Sequence, residues 1–473
     1  MKTLIKNGTL VTAAETFKAD LLIDNGKIAL IGANLPADGA QVVDAAGKFI
    51  LPGAIDVHTH LELPFGGTVS TDDFYSGHKA AAFGGTTCHI DFAIQAKGER
   101  LHDTVERWHK KSDDKAVIDF AYHMAIADLT EDVLNEIPQM GKEGIPSLKL
   151  FMAYKGVLQI DDMALFKTLM KAAEAGMLVM VHAENGDAID VLVKDALAKG
   201  RTAPEWHALT RPDWVEGEAT GRATALAAVA GAPLYVVHVT CAKAVEQIAN
   251  GRARGVKVMG ETCVQYFHFT IDDLRKPDGA KWVCSPPVRT KADNAALWEA
   301  VRSNSLQAVS TDHCPFLYDG TKEIQYEGKP YKIPGKELGK DDFSKIPNGL
   351  PCIEDRMPIL WTYGVGEGRI SMNRLVELCC TNPAKIFGLY PIKGTLAVGA
   401  DADIVIWDPN KKKTMSASNS HQRTDYSLYE GWELKGLPEK VFRRGELLVD
   451  GDQWNGKPGS GKWVARAAHA PVM

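Results

Sequence analysis

The strongest constraint on this chain is an alternation in its middle. Short, dense apolar runs give way to longer amphipathic segments about eight times over roughly 260 residues. The runs are Ile50–Val57, Thr86–Phe92, Ile118–Ile126, Ser147–Met152, Met177–Val181, Leu234–Val237, Val256–Glu261 and Gln307–Ser310. Between them Asp162–Ala175, Glu216–Ala230, Ala242–Arg254 and Asn294–Ser303 carry helical patterns. Gly176 and Gly231 follow two of these as C-terminal stops. Repeated strand and helix of this kind fit an α/β fold, a parallel (β/α)8 TIM-like barrel. An open doubly wound sheet is the other arrangement. Strand counting does not separate the two; the placement of polar residues does.

The two ends of the chain read differently. Up to about Phe49 there are short strands and tight turns, with Asn7-Gly8 and Asn25-Gly26 as hairpin signals. At the far end Gly399–Asp403 leads into Ile404–Trp407, and Val441–Val449 offers a strand pair around Gly445. Both ends are β structure and are expected to join into one small β-sandwich. The expected division is residues 1–52 and 391–473 for the sandwich and tail, with the barrel over 53–390.

At 473 residues, 45% of them apolar, the chain buries a large core and more than one structural unit. A net charge of −6 gives no reason to expect nucleic acid or an anionic membrane as partner. Met1–Leu10 alternates like a strand and not like a signal peptide, and no apolar run is long enough to span a bilayer. The eight cysteines are scattered without CxxC pairs. That is the pattern of reduced thiols in a cytoplasmic protein.

In such a barrel the chemistry sits at the C-terminal ends of the strands. The first run leads into His58-Thr59-His60, the fourth carries Lys149, the fifth ends in His182, the sixth in His238 and the eighth in Asp312-His313. Residues i and i+2 of a strand face the same side, so His58 and His60 can grip one cation. Imidazole plus carboxylate without thiolate favours zinc and also permits manganese, cobalt, nickel or iron. Each residue has a bland reading. An isolated HxH is weak, a lone strand-end histidine is an ordinary polar residue, Asp312 alone is a helix cap, and Lys149 can snorkel. Independent accidents would not place all of them at strand ends.

Lys149 decides the number of metals. A buried ammonium is costly, and desolvation lowers its pKa. The neutral amine can take up carbon dioxide as a carbamate, an anion able to bridge two divalent ions.

At these residues the sequence resembles the amidohydrolase superfamily. Asp56-Val-His58-Thr-His60 matches its first-strand motif, and Gly394-Thr-Leu-Ala-Val-Gly-Ala-Asp401-Ala-Asp403 its C-terminal signature. More narrowly the chain is similar to the dihydropyrimidinase/D-hydantoinase family over essentially its whole length. The stretches that carry this are Leu63–Thr68, Ser147–Lys155, His182–Asn185, Ser285–Arg289, Thr311–Phe316 and Ile346–Gly349. The resemblance implies His58, His60 and Asp312 on one metal, His182 and His238 on the other, and carboxylated Lys149 between them. It implies two ions per subunit, with zinc as the expected metal. It also implies Tyr154 as an oxyanion donor and Ser285 and Asn348 as ring contacts, largely through backbone atoms. The exocyclic pocket would be formed by the loop with Leu63 and Phe65 and by the segment from Phe151 to Leu158. Leu158 stands where many hydantoinases carry an aromatic residue, which weakens the case for aryl substrates. The family is commonly tetrameric. Trp454 and Trp463 in the tail serve either assembly or packing within their own subunit. A longer stretch, Tyr318–Lys340, is expected to make a surface excursion that covers the site or joins an oligomer interface.

The implied reaction opens a small cyclic ureide. Hydroxide shared by two cations attacks the carbonyl of a dihydropyrimidine or hydantoin ring, and Asp312 passes the proton to the leaving nitrogen, giving an N-carbamoyl amino acid. Allantoinase and dihydroorotase share the metal site. Dihydroorotase typically has an arginine just after its HxH, whereas His60 is followed by Leu61-Glu62, which favours an uncharged ring. Deaminases of the superfamily usually lack the lysine. Scaffold relatives of dihydropyrimidinase lack the metal ligands, and all six candidates are present here.

Overall fold

The computed structural model describes residues 2–472; Met1 and Met473, which the sequence reading assigned to the sandwich and tail, lie outside the described residues. Eight parallel strands form the central sheet: β1 (Ala54–Thr59), β2 (Thr86–Ile94), β3 (Asp119–Ala125), β4 (Ser147–Phe151), β5 (Leu178–His182), β6 (Leu234–Val236), β7 (Val258–Cys263) and β8 (Ala308–Ser310). Each pairs with its neighbour in chain order. Closure comes just past β8, where His60 N donates to His313 O at 2.8 Å and Thr59 bridges His313 in parallel. Buried Arg356 stitches the same seam, its Nη1 donating to Ile55 O at 2.9 Å and Val309 O at 3.0 Å. The sheet is therefore a barrel and not an open doubly wound sheet. Every residue of β1 to β8 is buried, which is why these strands read as dense apolar runs without polar alternation.

Helices cover the outside. Those at Asp162–Glu174, Asp213–Ala230, Ala242–Ala253 and Lys291–Arg302 fall within a few residues of the sequence reading. Gly231 ends its helix in the left-handed region (φ 65°), which favours glycine. Asp161 and Thr290 cap two of the N-termini. No described helix is long and apolar enough to cross a membrane.

The chain ends build two further sheets. A four-stranded sheet uses Thr3–Lys6, Asp20–Asp24, Lys27–Gly32 and Gln41–Asp44. A seven-stranded sheet joins both ends, because Phe49–Pro52 pairs antiparallel with Ile404–Thr414. A separate apolar core between them includes Ile5, Leu21, Ile23, Ile50, Ile404 and Phe442.

Two sequence readings need correction. Asn25-Gly26 is a hairpin turn, but Asn7-Gly8 is not, because the strands on either side of it belong to different sheets. A side chain at Gly8 would collide with Ile50, its Cβ falling 2.3 Å from Ile50 Cδ1. The apolar run Ile50–Val57 is also two strands, one in the sandwich and one in the barrel. They meet at Gly53, where a Cβ would lie 2.0 Å from Thr87 Oγ1.

The tail packs against the barrel of its own chain. Trp463 bridges Phe120 at the start of β3, and Trp454 Nε1 donates to Tyr75 Oη at 3.2 Å. The Tyr318–Lys340 excursion carries a small hairpin, Ile324–Tyr326 with Lys329–Tyr331, that folds back onto the molecule.

Candidate metal and substrate site

The C-terminal rim of the barrel gathers the polar groups. His58 lies within β1 and His60 just past it; Lys149 is in β4, and His182 closes β5. His238 and Asp312 lie two residues beyond β6 and β8. All point into one cavity of about 480 Å³ including its mouth. Leu63, Phe65, Phe151, Tyr154, Leu158, Ser285 and Asn348 line the same cavity, joined by Ile94 and Cys314. Every residue named from sequence as a metal, catalytic or ring-contacting group thus comes to one place. His313 does not; its Nε2 sits 3.0 Å from Asp72, away from the cavity.

Asp312 Oδ1 lies 3.1 Å from His58 Nε2 and 3.2 Å from His60 Nε2. These three ligand atoms lie within 4.8 Å of one another. The His182 and His238 rings are 4.6 Å apart, and His58 and His238 5.3 Å. Three of the residues, Tyr154 (φ 69°), His238 (φ 39°) and Asp312 (φ 51°), have left-handed backbone that non-glycine residues rarely adopt. Such strain persists where the surrounding structure holds it, and functional sites are where it collects.

Neighbours decide which nitrogen each imidazole offers. Glu261, fully buried in β7, holds His58 Nδ1 at 2.6 Å and accepts from Tyr235 Oη at 3.0 Å. His58 Nε2 is therefore turned to the cavity. Buried Glu184 holds His182 Nε2 at 2.8 Å, which leaves His182 Nδ1. A carboxylate behind a ligating imidazole fixes its tautomer and raises its basicity. Among the described residues, His60 Nδ1 and His238 Nδ1 are buried without a partner. Free nitrogens beside a carboxylate, with no thiolate, suit a divalent metal of the zinc type. Sequence reasoning missed Glu261 and Glu184. Glu261 closes the apolar run Val256–Glu261, so the rule that picked out the other strand-end residues also reaches it.

Lys149 is 1% exposed and packs 5.0 Å from the Phe92 ring and 5.1 Å from the Phe151 ring. Burial pulls its ammonium down to about 7, against the opposing pull of Asp312 and Glu261. A large fraction is then the neutral amine near neutral pH. Burial likewise pushes the Tyr154 phenol upward, so it keeps its proton and donates.

A second acidic cluster, Asp119, Asp401 and Asp403, also has metal-like spacing. It already contains a cation. Lys393 Nζ lies 2.8, 3.0 and 2.8 Å from the three carboxylates.

Imidazole nitrogens and a carboxylate gathered on one cavity, at the rim where such barrels do their chemistry, define the class as a barrel hydrolase with candidate metal ligands. Comparison with known proteins narrows this. The model of the Amidohydrolase family matches residues 49–448, and the chain belongs to that family. It is 52% identical to D-hydantoinase of Geobacillus stearothermophilus, covering 100% of this chain and 98% of that protein. It is 46% identical to D-hydantoinase of Streptomyces coelicolor, covering 98% of each. The crystal structure of dihydropyrimidinase from Brevibacillus agri superposes with a TM-score of 0.94 at 51% identity, covering 99% of this chain and 100% of that one.

Proposed function

We propose that this enzyme hydrolyses the ring amide of 5,6-dihydropyrimidines (dihydrouracil, dihydrothymine) or hydantoins, giving N-carbamoyl amino acids. The observation that carries the proposal is the meeting of the rim donors with Tyr154, Ser285 and Asn348 around one cavity. The names of the full-length relatives support it.

Two divalent ions, zinc by donor chemistry, are proposed for the rim. His58, His60 and Asp312 would hold one and His182 and His238 the other. The Lys149 amine would take up carbon dioxide, release a proton and bridge them as a carbamate. When bound, such a pair supplies Lewis acidity that acidifies water and polarises a carbonyl.

The protein's own groups do the rest. Asp312 takes the proton of the attacking water and delivers it to the leaving ring nitrogen. The protonated Tyr154 hydroxyl donates to the carbonyl oxygen as negative charge develops there. The carbon–nitrogen bond then breaks; the carbon keeps the hydroxyl and the nitrogen keeps the proton. The side chains of Ser285 and Asn348 bond each other, Asn348 Nδ2 donating to Ser285 Oγ at 3.2 Å, and their backbone groups would contact the ring. Leu63, Phe65, Phe151 and Leu158 would wall the exocyclic substituent.

The assembly is proposed to be a homotetramer in the cytoplasm. Met163, Met170, Val191, Trp214 and Val229 on the outer barrel helices are exposed, apolar side chains suited to contact with another copy. All eight cysteines are free and buried, as a reducing compartment allows. The unit boundaries 1–52, 53–390 and 391–473 are proposed with the break at Gly53.

A second reading, an anionic ring such as dihydroorotate, is favoured by Arg211, which lines the outer mouth beside Phe65, Tyr154 and Asn348. Metal analysis together with a panel of dihydrouracil, hydantoin, dihydroorotate and allantoin tests both. About two metals per chain with turnover of the uncharged rings is expected. Turnover of dihydroorotate or allantoin alone would replace the first reading.

A further inference from the structure

We propose that the 318–340 excursion braces the ring-contacting segments, and that Lys336 is the positioning residue through which it acts. The inference rests on the reading of Ser285 and Asn348 as ring contacts. Lys336 is 1% exposed, and its ammonium is spent on two backbone carbonyls. Nζ donates to Val283 O at 3.0 Å and to Pro347 O at 3.1 Å. Val283 lies two residues before Ser285, and Pro347 immediately precedes Asn348. One side chain thus pins both segments from behind, where Gly349 N also donates to Val283 O at 3.1 Å.

Packing alone does not account for a lysine here. Among the described residues no carboxylate lies within ion-pair reach of it, and burial draws its ammonium down to about 7. A methionine of similar length would fill the space without that desolvation cost. What methionine lacks is the pair of donors.

The excursion presents Lys336 rigidly. Lys336 N donates to Leu317 O at 2.7 Å, and the Glu337 carboxylate accepts from Gly320 N at 2.8 Å and Gly335 N at 2.9 Å. The two sides of this neck approach so closely that a Cβ at Gly320 would fall 2.1 Å from Ile333 O, and one at Gly335 2.1 Å from Leu317 O. Further out, Arg423 lies over the Tyr326 and Tyr331 rings at 4.8 and 5.0 Å. Thr68 Oγ1 donates to Pro334 O at 2.5 Å, which ties the substituent loop to the same element.

The test compares Lys336→Met and Glu337→Gln with the wild type, each loaded with metal. Backbone hydrogen exchange is read in residues 283–285 and 348–349, and KM and kcat are read for hydantoin and dihydrouracil. Lys336→Met is expected to raise exchange in both segments and to raise KM about tenfold, with kcat within about threefold and metal content unchanged. Glu337→Gln, which loosens the neck and keeps the ammonium, is expected to shift both readouts the same way by less, and it carries the test if Lys336→Met does not fold. Unchanged exchange and unchanged KM would overturn the brace, as would loss of kcat and metal with KM intact. A wild type that opens none of these rings would defeat the functional reading, and the exchange comparison would then decide the brace alone.

Discussion

Two buried clusters of ligand-type groups, three carboxylates in one and two imidazoles with one carboxylate in the other, sit at opposite ends of the barrel, and they differ in what neutralises them. At the N-terminal end Asp119, Asp401 and Asp403 surround Lys393, with Arg444 a further 3.3 Å from Asp119. At the C-terminal rim Asp312 faces His58 and His60 and opens onto a cavity. Both groups have the spacing of a metal site. The first carries its own cation and joins β3 to the sandwich side, so it is a structural joint. The second leaves imidazole nitrogens without partners. Ligand-type residues at ligand-type distances are therefore not enough; what marks the working cluster is that the protein has not supplied the positive charge itself.

The largest expected break in that contrast is at the rim. Asp312→Asn should lower turnover by about 10⁴-fold with the urea midpoint little changed, because it removes the proton carrier. A near-normal rate in a metal-loaded variant would end that role for Asp312. At the other end the expected damage is to stability. Lys393→Met leaves three buried carboxylates without their cation and should cost about 3–5 kcal/mol in urea unfolding, with metal content and kcat of the folded fraction near wild type. If this variant instead bound an additional divalent ion, the two clusters would both be metal sites in waiting and the contrast between them would fall.

Smaller effects sharpen the comparison. Tyr154→Phe should reduce kcat by about 10²-fold with KM nearly constant, through loss of one oxyanion donor. An equal change in both constants would make it a binding residue. Glu261→Gln keeps shape and removes the charge behind His58, and should weaken metal binding about 10–100-fold in chelator competition. Unaltered affinity would show that the 2.6 Å contact with His58 is only a packing contact.

Much of this was legible in the sequence for definite reasons. The barrel strands are buried on both faces, so each is a dense run dominated by apolar residues, and the polar residues near its C-terminal end can be read against the rim of the barrel. That is why His58, Lys149, His182, His238 and Asp312 stand out in the sequence alone. The run Ile50–Val57 reads as one strand although Pro52-Gly53 lies inside it and the expected unit boundary falls there; the close approach of Thr87 that demands the glycine lies elsewhere in the chain. At Asn7-Gly8 the turn chemistry was visible, but which sheet each flanking strand joins is a long-range matter.

The sequence by itself determined the class of fold and the kinds of ligand atoms, because periodicity and residue type are local properties. Only the tertiary structure decided which nitrogen of each imidazole is free. That depends on pairings such as Glu261 with His58, 203 residues apart. It also decided that the acidic cluster is filled by Lys393 while the His58, His60 and Asp312 cluster opens onto a cavity. Its reach extends to the 318–340 excursion, which folds back so that Lys336 lies behind Val283 and Pro347. Charge neutralisation and hydrogen-bond satisfaction in a buried site are set by which distant groups arrive there, and no local pattern in the chain encodes that arrival.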